Sequence, residues 1–161
     1  MKKQIKMSAQ NYVQYLLGRQ NYTANKLRAR LKNKGFPQSD TENAVAWAIE
    51  NAYINESELM ERQVELLAKR GYGKNIIYSK LRNDFFNPEL MGGYFSQLCE
   101  NIDFGPYCYV EVEKRLDKLN LAELDKDQLR KECEKIMRQV VSRGYSPTMV
   151  RNCLREYLSD E

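Results

Sequence analysis

The chain has 161 residues, with 26 Lys and Arg against 22 Asp and Glu and a hydrophobic share of 42%. This balance is typical of a folded, soluble protein and excludes a chain that is disordered throughout. No apolar run approaches the roughly 20 residues needed to cross a bilayer, and the basic start of the chain lacks the apolar core of a secretory signal. We therefore expect a cytoplasmic protein that makes no contact with a membrane.

The cysteines predict neither a metal site nor a cofactor. They show no CxxC spacing and the chain contains no histidine, so a zinc site would need four thiolates at irregular spacing. We interpret them as small, partly buried apolar residues in a reducing compartment. They are Cys99, Cys108, Cys133 and Cys153.

Helical periodicity begins near the start of the chain. The first predicted helices cover 8–20, 23–34 and 39–52. In the second, Ala24, Leu27 and Leu31 fall at i, i+3 and i+7, the spacing of a buried helix face. Thr23 precedes this face as a candidate N-cap, and Gly35 follows it at a position suited to the left-handed conformation that ends a helix.

One local pattern predicts where helices end. An apolar residue is followed by Gly or Asn four positions on and then by an aromatic residue, which is the arrangement of a Schellman stop. The sets are Leu17/Asn21/Tyr22, Leu31/Gly35/Phe36, Leu67/Gly71/Tyr72 and Val140/Gly144/Tyr145. We expect their tyrosines to pack against helices rather than stack on nucleic-acid bases, and we expect Trp47 in the core.

The segment that starts at Leu17 resembles the segment that starts 50 residues later. This offset places Leu17 on Leu67 and Leu31 on Leu81. A fixed period of this size indicates repeated structural units. Further predicted helices cover 56–70, 74–84, 88–100 and 127–143, with another starting near 107 and a last one in SPTMVRNCLREYL. We predict an all-α fold of three tandem three-helix repeats in an elongated, curved array, because units this small stabilise one another by stacking. The predicted repeats are 1–53, 54–104 and 105–161.

Charge is distributed in blocks along the chain. Residues 1–36 hold nine basic and no acidic side chains, and 37–67 hold one basic and seven acidic. Residues 68–83 hold five basic and no acidic side chains, and 84–113 hold six acidic and no basic. Blocks of one sign favour surfaces that steer a charged partner, although ordinary helices also carry solvated charged faces.

The basic side chains of the first two repeats are the candidate partner-binding residues. Lys26, Arg30 and Lys34 form one i, i+4 row on the second predicted helix, and Arg28 with Lys32 forms another. If the repeats stack in register, their basic residues form one strip suited to phosphates or to acidic patches of a protein filament. The candidates are Arg19, Lys26, Arg28, Arg30, Lys32, Lys34, Lys69, Arg70, Lys74, Lys80 and Arg82.

The pattern Y-T/S-x-x-x-L-x-x-x-L-x-x-K-G-F, from Tyr22 to Phe36, resembles the RecX family of regulators of the RecA recombinase. The run YINESELMERQVELLAKRGYGKNIIYSKL and the later RGYSPTMVRNCL are similar to that family as well. The resemblance covers nearly the whole chain. It implies three tandem three-helix repeats, no catalysis, and a role in DNA repair and the SOS response. The protein would bind in the groove of the RecA–DNA filament and limit filament growth, ATP hydrolysis and strand exchange.

The chain departs from the family pattern at several positions, and other functions stay open. Lys26 stands where glutamate is frequent, and Asp84-Phe85 replaces a second Lys-Gly pair. A stand-alone nucleic-acid-binding protein of tandem helical modules would bind without a recombinase and weaken steeply with salt. An enzyme is disfavoured, because the chain has no histidine base, phosphate-cradling glycine loop or metalloprotease motif.

We expect a monomer whose partner is a RecA-type recombinase filament, with weak or filament-mediated contact to single- or double-stranded DNA. The sequence leaves open whether such a protein caps filament ends or coats the groove.

Overall fold

The structure is a computed structural model that describes residues 7–84 and 86–158. Within these ranges the chain forms helices and no strand, which confirms the predicted all-α fold. None of the described helices is long and apolar enough to cross a membrane. The α-helices are α1 (Ala9–Leu17), α2 (Ala24–Lys34), α3 (Gln38–Glu50), α4 (Glu56–Lys69), α5 (Lys74–Asn83), α6 (Phe95–Glu100), α7 (Gly105–Leu116), α8 (Lys126–Ser142), α9 (Pro147–Cys153) and α10 (Arg155–Leu158). A π-helical segment (Leu90–Tyr94) leads into α6, and a 3-10 turn (Leu121–Glu123) precedes α8.

Short polar side chains begin several of the helices. The hydroxyl of Thr23 accepts a hydrogen bond from the backbone N–H three residues on, which confirms its predicted role as the N-cap of α2. Asp125 and Gln128 form a capping box at the start of α8, where each side chain accepts from the other residue's backbone N–H. Ser146 caps α9 just before Pro147, whose missing N–H needs no partner there.

Three of the four predicted helix stops contain the expected left-handed glycine. Gly35, Gly71 and Gly144 have φ angles of 96°, 77° and 98°. After α2, the N–H of Phe36 donates to the carbonyl of Leu31 at 3.2 Å, the bond that closes a Schellman stop. These three positions therefore need glycine, because a Cβ is strained at such angles.

The fourth predicted stop, with Asn21 in the left-handed conformation, is wrong. α1 ends at Leu17, and Gly18 caps it in the right-handed region with a φ of −68°. The next two N–H groups both bond to the carbonyl of Leu16. Because the helix ends a turn earlier than predicted, Asn21 follows a turn rather than a helix and has no positive φ.

A helix stop that the sequence did not indicate follows α3. Ala52 has a φ of 55°, in the left-handed region that strains a Cβ. The N–H of Tyr53 donates to the carbonyl of Ala48 at 2.9 Å, the same type of bond that closes the stop after α2. The pattern missed this end because alanine occupies the position that normally holds Gly or Asn.

The chain divides into two compact units. Unit 1 comprises Met1–Arg62 with Leu81–Phe95, and unit 2 comprises Gln63–Lys80 with Ser96–Glu161. The boundaries between them lie inside α4, α5 and α6. The three repeat boundaries and the elongated array proposed from the sequence stay a prediction.

In unit 1, α1, α2 and α3 pack against one another in pairs. Their shared core contains Val13, Leu27, Leu31 and Val45, none of which has exposed surface. Trp47 is partly buried at the edge of this core, so it is less central than predicted.

In unit 2, α7, α8 and α9 pack in pairs, and α10 contacts α8 and α9. Cys108, Cys133, Val140 and Leu154 are fully buried in this core. The cysteines are free thiols, and burial raises the pKa of Cys108 to about 12, so this thiol is neutral at physiological pH. Within the described ranges, no cluster of three or more His, Cys, Asp or Glu side chains is placed to hold a metal ion.

Candidate partner-binding surfaces

The C-terminal half of α2 carries exposed basic side chains of unit 1. Arg30, Lys32 and Lys34 are exposed and make no ion pair with any described residue. Lys34 Nζ lies 5.5 Å from the ring centroid of Tyr12, a cation–π contact that leaves its charge uncompensated. Arg82, near the end of α5, is also exposed and also belongs to unit 1. These cations can therefore contact an anionic partner without breaking an internal ion pair.

The two other predicted residues of α2 are engaged inside unit 1. Lys26 Nζ lies 3.0 Å from Asp84 Oδ1, which ties α2 to the residue after α5. Arg28 Nε lies 3.0 Å from Glu42 Oε2 on α3, and its Nη1 donates to Asn25 Oδ1. Lys26 and Asp84 are two of the departures from the family pattern, and in the structure they are partners of each other. The predicted basic residues of α2 therefore fall into two groups, those paired within unit 1 and those without an ion pair to any described residue.

Two tyrosine rings of α1 lie beside a basic side chain that follows the helix. The rings of Tyr12 and Tyr15 are nearly parallel, with centroids 6.3 Å apart and planes at 17°. The guanidinium carbon of the exposed Arg19 lies 4.9 Å from the Tyr15 centroid, and half of the Tyr15 side chain faces solvent. This pair of tyrosines is not among the site residues predicted from the sequence. Their spacing is the signal that could have found them, since the tyrosines are one helical turn apart and Arg19 is about one turn further on.

The basic residues of unit 2 surround the turn between α4 and α5. Lys69 pairs with Glu65 at 2.6 Å, but both side chains are largely exposed and such pairs contribute little. Arg70 and Lys74 are exposed and make no ion pair with any described residue. This turn therefore presents one unpaired cation before Gly71 and one after it.

Tyr72, in the same turn, contacts two cations. Lys80 Nζ and the guanidinium carbon of Arg143 each lie 4.6 Å from the centroid of its ring. Both distances are within the range of a cation–π interaction. The ring is thus engaged by side chains of its own unit, in keeping with the packing role predicted for it.

Arg143, at the end of α8, holds the backbone of this turn. Its Nε donates to the carbonyl of Gly71 at 2.8 Å, and its Nη2 donates to the carbonyl of Arg70 at 2.7 Å. The last carbonyls of a helix have no partner within the helix, so a side chain from elsewhere that reaches them stabilises the helix end. Arg143 therefore fixes the conformation from which Arg70 and Lys74 project.

Glu111 on α7 is the buried counter-ion of Arg143. Its side chain is 6% exposed and lies 2.9 Å from Arg143, 3.0 Å from Arg115 and 3.1 Å from Lys114. Burial opposes ionisation, but the hydrogen bonds from Lys114 and Arg115 and the charge of Arg143 prevail and lower the pKa of the Glu111 carboxyl. The carboxylate is therefore charged at neutral pH, and it orients Arg143 toward the turn.

Two glycines let the turn after α4 touch the turn after α8. The N–H of Gly73 donates to the carbonyl of Arg143 at 2.8 Å, and the N–H of Asn75 donates to the carbonyl of Gly144 at 3.3 Å. A Cβ on Gly73 would lie 2.3 Å from the Gly144 carbonyl carbon. A Cβ on Gly144 would lie 2.6 Å from the backbone nitrogen of Ile76. Neither position accepts a side chain without displacement of the backbone.

Arg143 and Glu111, which position the turn, are not among the residues predicted from the sequence. The tripeptide Arg-Gly-Tyr occurs at 70–72 and again at 143–145. Because the structure brings these two turns into contact, the repeated tripeptide is a signal that could have found Arg143. No pattern marks Glu111 as the partner of Arg143, because these two residues are distant in the chain.

The fold and these surfaces define an all-helical protein whose exposed helix ends carry unpaired cations. No family model matches the chain. Its sequence is 26% identical over 145 residues to the regulatory protein RecX of Legionella pneumophila strain Corby, which covers 89% of this chain and 91% of the relative. It is 32% identical over 65 residues to the regulatory protein RecX of Pasteurella multocida strain Pm70, which covers 40% of each chain.

Two solved RecX structures have the same fold as this chain. The crystal structure of RecX from Lactobacillus salivarius superposes with a TM-score of 0.75 at 15% identity, over 92% of this chain and 94% of that one. A second crystal structure of a regulatory protein RecX gives a TM-score of 0.73 at 15% identity, over 92% of this chain and 70% of that one. The resemblance predicted from the sequence is confirmed: the chain is similar to regulatory RecX proteins along most of its length, and it has the fold of their crystal structures.

Proposed function

We propose that this protein is a non-enzymatic regulator of a RecA-type recombinase. It binds the groove of the recombinase–DNA filament and limits filament growth, ATP hydrolysis and strand exchange. The observation that carries this proposal is the similarity to regulatory RecX proteins along nearly all of both chains, together with the shared fold.

The exposed cations support a partner with a negatively charged surface. Arg30 and Lys34 of unit 1 and Arg70 and Lys74 of unit 2 have no internal ion pair among the described residues. Cations of this kind bind phosphates by counter-ion release and bind acidic protein patches by direct pairing. Lys26 and Arg28 act differently, because each holds α2 to a neighbouring segment of unit 1.

The experiment that tests the proposal uses a cognate RecA-type recombinase on single-stranded DNA. We expect the purified protein to slow ATP hydrolysis by the recombinase and to shorten its filaments, in proportion to the protein added. ATP hydrolysis and filament length that stay unchanged at saturating protein would contradict the proposal. So would ATP hydrolysis by the purified protein itself, once contaminants are removed.

A second candidate is direct binding of single-stranded nucleic acid without a recombinase. The stacked Tyr12 and Tyr15 beside Arg19 favour it, because aromatic faces next to cations suit exposed bases. Fluorescence anisotropy of a labelled single strand distinguishes the two candidates. Tight binding that falls steeply with salt and is abolished in Tyr15→Ala supports the second candidate, whereas binding seen only with recombinase supports the first.

A further inference from the structure

Unit 1 contains an apolar groove that none of the basic surfaces described above includes. Its volume is about 520 Å³, and it lies where the N-terminus of α2, the end of α3, the start of α4 and the segment before α6 approach one another. Its apolar lining comes from three different segments of the chain: Ile49, Ile54 and Leu90. The other lining residues are Ala24, Asn25, Arg28, Glu56, Asn87 and Glu89.

Large apolar side chains at this groove face solvent. Ile49 is 48% exposed on α3, and Ile54 and Leu90 are only partly buried. Tyr53, next to Ile54 in the chain, is 57% exposed and its ring packs 5.1 Å from the ring of Trp47. Exposed apolar side chains gathered at a concave site are typical of protein-binding surfaces, and Trp and Tyr are frequent among the residues that dominate binding there.

Two charged groups of the groove, Glu56 and Arg28, are already held by contacts within unit 1. The carboxylate of Glu56 accepts from the N–H of Ala24 at 2.7 Å and from the N–H of Asn87 at 3.3 Å. Arg28 is paired with Glu42 at 3.0 Å. The groove is therefore organised before a partner arrives, which reduces the entropy cost of binding.

The charge of the groove selects the partner. Its lining holds Glu56 and Glu89 against Arg28, and the charge of Arg28 is offset by Glu42. The two carboxylates and one guanidinium of the lining give a net charge of −1 at neutral pH, and the Glu42 carboxylate paired with Arg28 brings the local total to −2. Such a site repels phosphates and attracts Lys and Arg.

One wall of the groove continues into the π-helical segment Leu90–Tyr94. Gly92 and Gly93 lie in this segment, and a Cβ on either would meet no atom within 4 Å. π-Helical turns are rare overall, but those that occur often lie at functional sites. This wall therefore has open space beside it, into which a partner segment can extend.

We propose that this groove docks a segment of a protein partner that carries an apolar side chain flanked by Lys or Arg. The inference rests on the proposed function, since the partner is taken to be a subunit of the recombinase. The protein then has two kinds of binding surface: exposed cations for anionic surfaces, and an acidic, apolar groove for a basic protein segment.

Photocrosslinking tests the occupant of the groove directly. The photoreactive residue p-benzoylphenylalanine replaces Ile49, whose exposed position tolerates it, and the probes are DNA-free recombinase, single-stranded DNA and the protein alone. We expect a crosslink to the recombinase at a segment that mass spectrometry finds to contain Lys or Arg. A crosslink to DNA, a crosslink to a second copy of the chain, or no crosslink would each overturn the proposal.

A second test substitutes residues of the groove and measures the affinity of each variant for DNA-free recombinase by biolayer interferometry. We expect at least a tenfold loss of affinity in Ile49→Ser with Leu90→Ser, and a similar loss in Glu89→Lys, with binding to single-stranded DNA not weakened. The matched controls in unit 2 are Leu66→Ser, which also replaces an exposed apolar residue, and the exposed Glu113→Lys. Affinities equal to that of the parent in both groove variants would overturn the proposal.

The two proposals fail in different ways. If the parent slows ATP hydrolysis by the recombinase but position 49 gives no crosslink, the groove proposal alone is wrong. If position 49 crosslinks the recombinase while ATP hydrolysis and filament length are unchanged, the proposed inhibition is wrong and the docking site stands. If neither is observed, both are wrong.

Discussion

Among the residues that the structure describes, Ala52 is the one non-glycine residue with a positive φ. Alanine in this conformation is strained by about 1 kcal/mol or more relative to glycine. The stop that it forms turns the chain out of α3, places Tyr53 at the surface and leads to Ile54 in the groove. Backbone strain of this kind is often found at functional positions, and here it lies beside the proposed docking site.

Replacement of Ala52 by glycine is expected to stabilise the protein by about 0.5–1 kcal/mol, because glycine adopts the left-handed conformation without strain. Urea denaturation followed by circular dichroism measures the change. The matched control is Ala46→Gly at an exposed position inside α3, where glycine is expected to destabilise by a similar amount. A lower midpoint for Ala52→Gly would contradict the assigned conformation.

Glu111→Gln is expected to destabilise the protein by about 3 kcal/mol at neutral pH, because it leaves Arg143 and Arg115 without their buried counter-ion. The effect depends on pH in a defined direction. Since the folded state lowers the pKa of this carboxyl, its contribution is present above the unfolded value of about 4.3 and is lost as pH falls through the folded value.

The free energy of unfolding, measured from pH 7 to pH 3 for the parent and for Glu111→Gln, tests this prediction. The difference between the two proteins is expected to shrink below about pH 4.3. Arg130 and Glu134 on α8 supply the control, because their pair at 3.6 Å is exposed and Glu134→Gln is expected to change stability little. A difference that stays constant across the acid range would show that folding does not lower the pKa of the Glu111 carboxyl.

At the scale of the helices, the sequence was informative where one residue determines a helix start or end. Thr23 and Gly35 bound α2 as predicted, because an N-cap hydroxyl and a left-handed glycine are local requirements. The sequence predicted a helix over 88–100, and these residues are helical throughout, but it did not indicate a change of helix type inside that range. The structure has a π-helical turn at Leu90–Tyr94 before α6, and the 3.6-residue pattern does not reveal an extra residue in one turn that contains Gly92 and Gly93.

The contact between the turns after α4 and α8 predicts a large effect of very small side chains. Gly73→Ala and Gly144→Ala are each expected to destabilise by about 2–4 kcal/mol, because the added Cβ would overlap backbone atoms. Thermal and urea unfolding measure both variants. Gly92→Ala is the control, since a Cβ there meets no atom within 4 Å. Equal midpoints for all three variants would mean that the two turns are not in contact.

At the scale of the whole molecule, the candidate surface could be predicted from the sequence only in part. The charge blocks correctly indicated where exposed cations are found, at α2 and around the turn before α5. They could not indicate that Lys26 and Arg28 are used internally, because Asp84 and Glu42 are brought to them by tertiary packing. For the same reason, the sequence could not separate the proposed partner-binding residues Arg70 and Lys74 from Arg143, which holds the backbone of their turn.

The role of the exposed cations without an internal ion pair can be tested by charge reversal. Charge reversal at the exposed positions of either unit is expected to weaken filament inhibition roughly tenfold or more, at about 0.5–1.5 kcal/mol for each ionic interaction with the partner that is removed. Reversal in both units is expected to weaken it further. The variants combine Arg30→Glu, Lys32→Glu and Lys34→Glu in unit 1, and Arg70→Glu, Lys74→Glu and Lys80→Glu in unit 2. The concentration that halves ATP hydrolysis by the recombinase is the measurement.

The control for this prediction is reversal of Lys131 and Lys135 on α8. Lys135 is paired with Glu132 at 3.3 Å, and neighbouring acidic side chains already neutralise the field of this helix. Each variant must keep its helical content and unfolding midpoint, because Lys and Arg stems also cover apolar surface. Lys26→Glu serves as a contrast, since it removes the pair with Asp84 and is expected to lower stability rather than inhibition at a temperature where the variant stays folded. If the folded α2 and unit 2 reversals inhibit as the parent does while the α8 reversal does not, the partner contacts α8 instead.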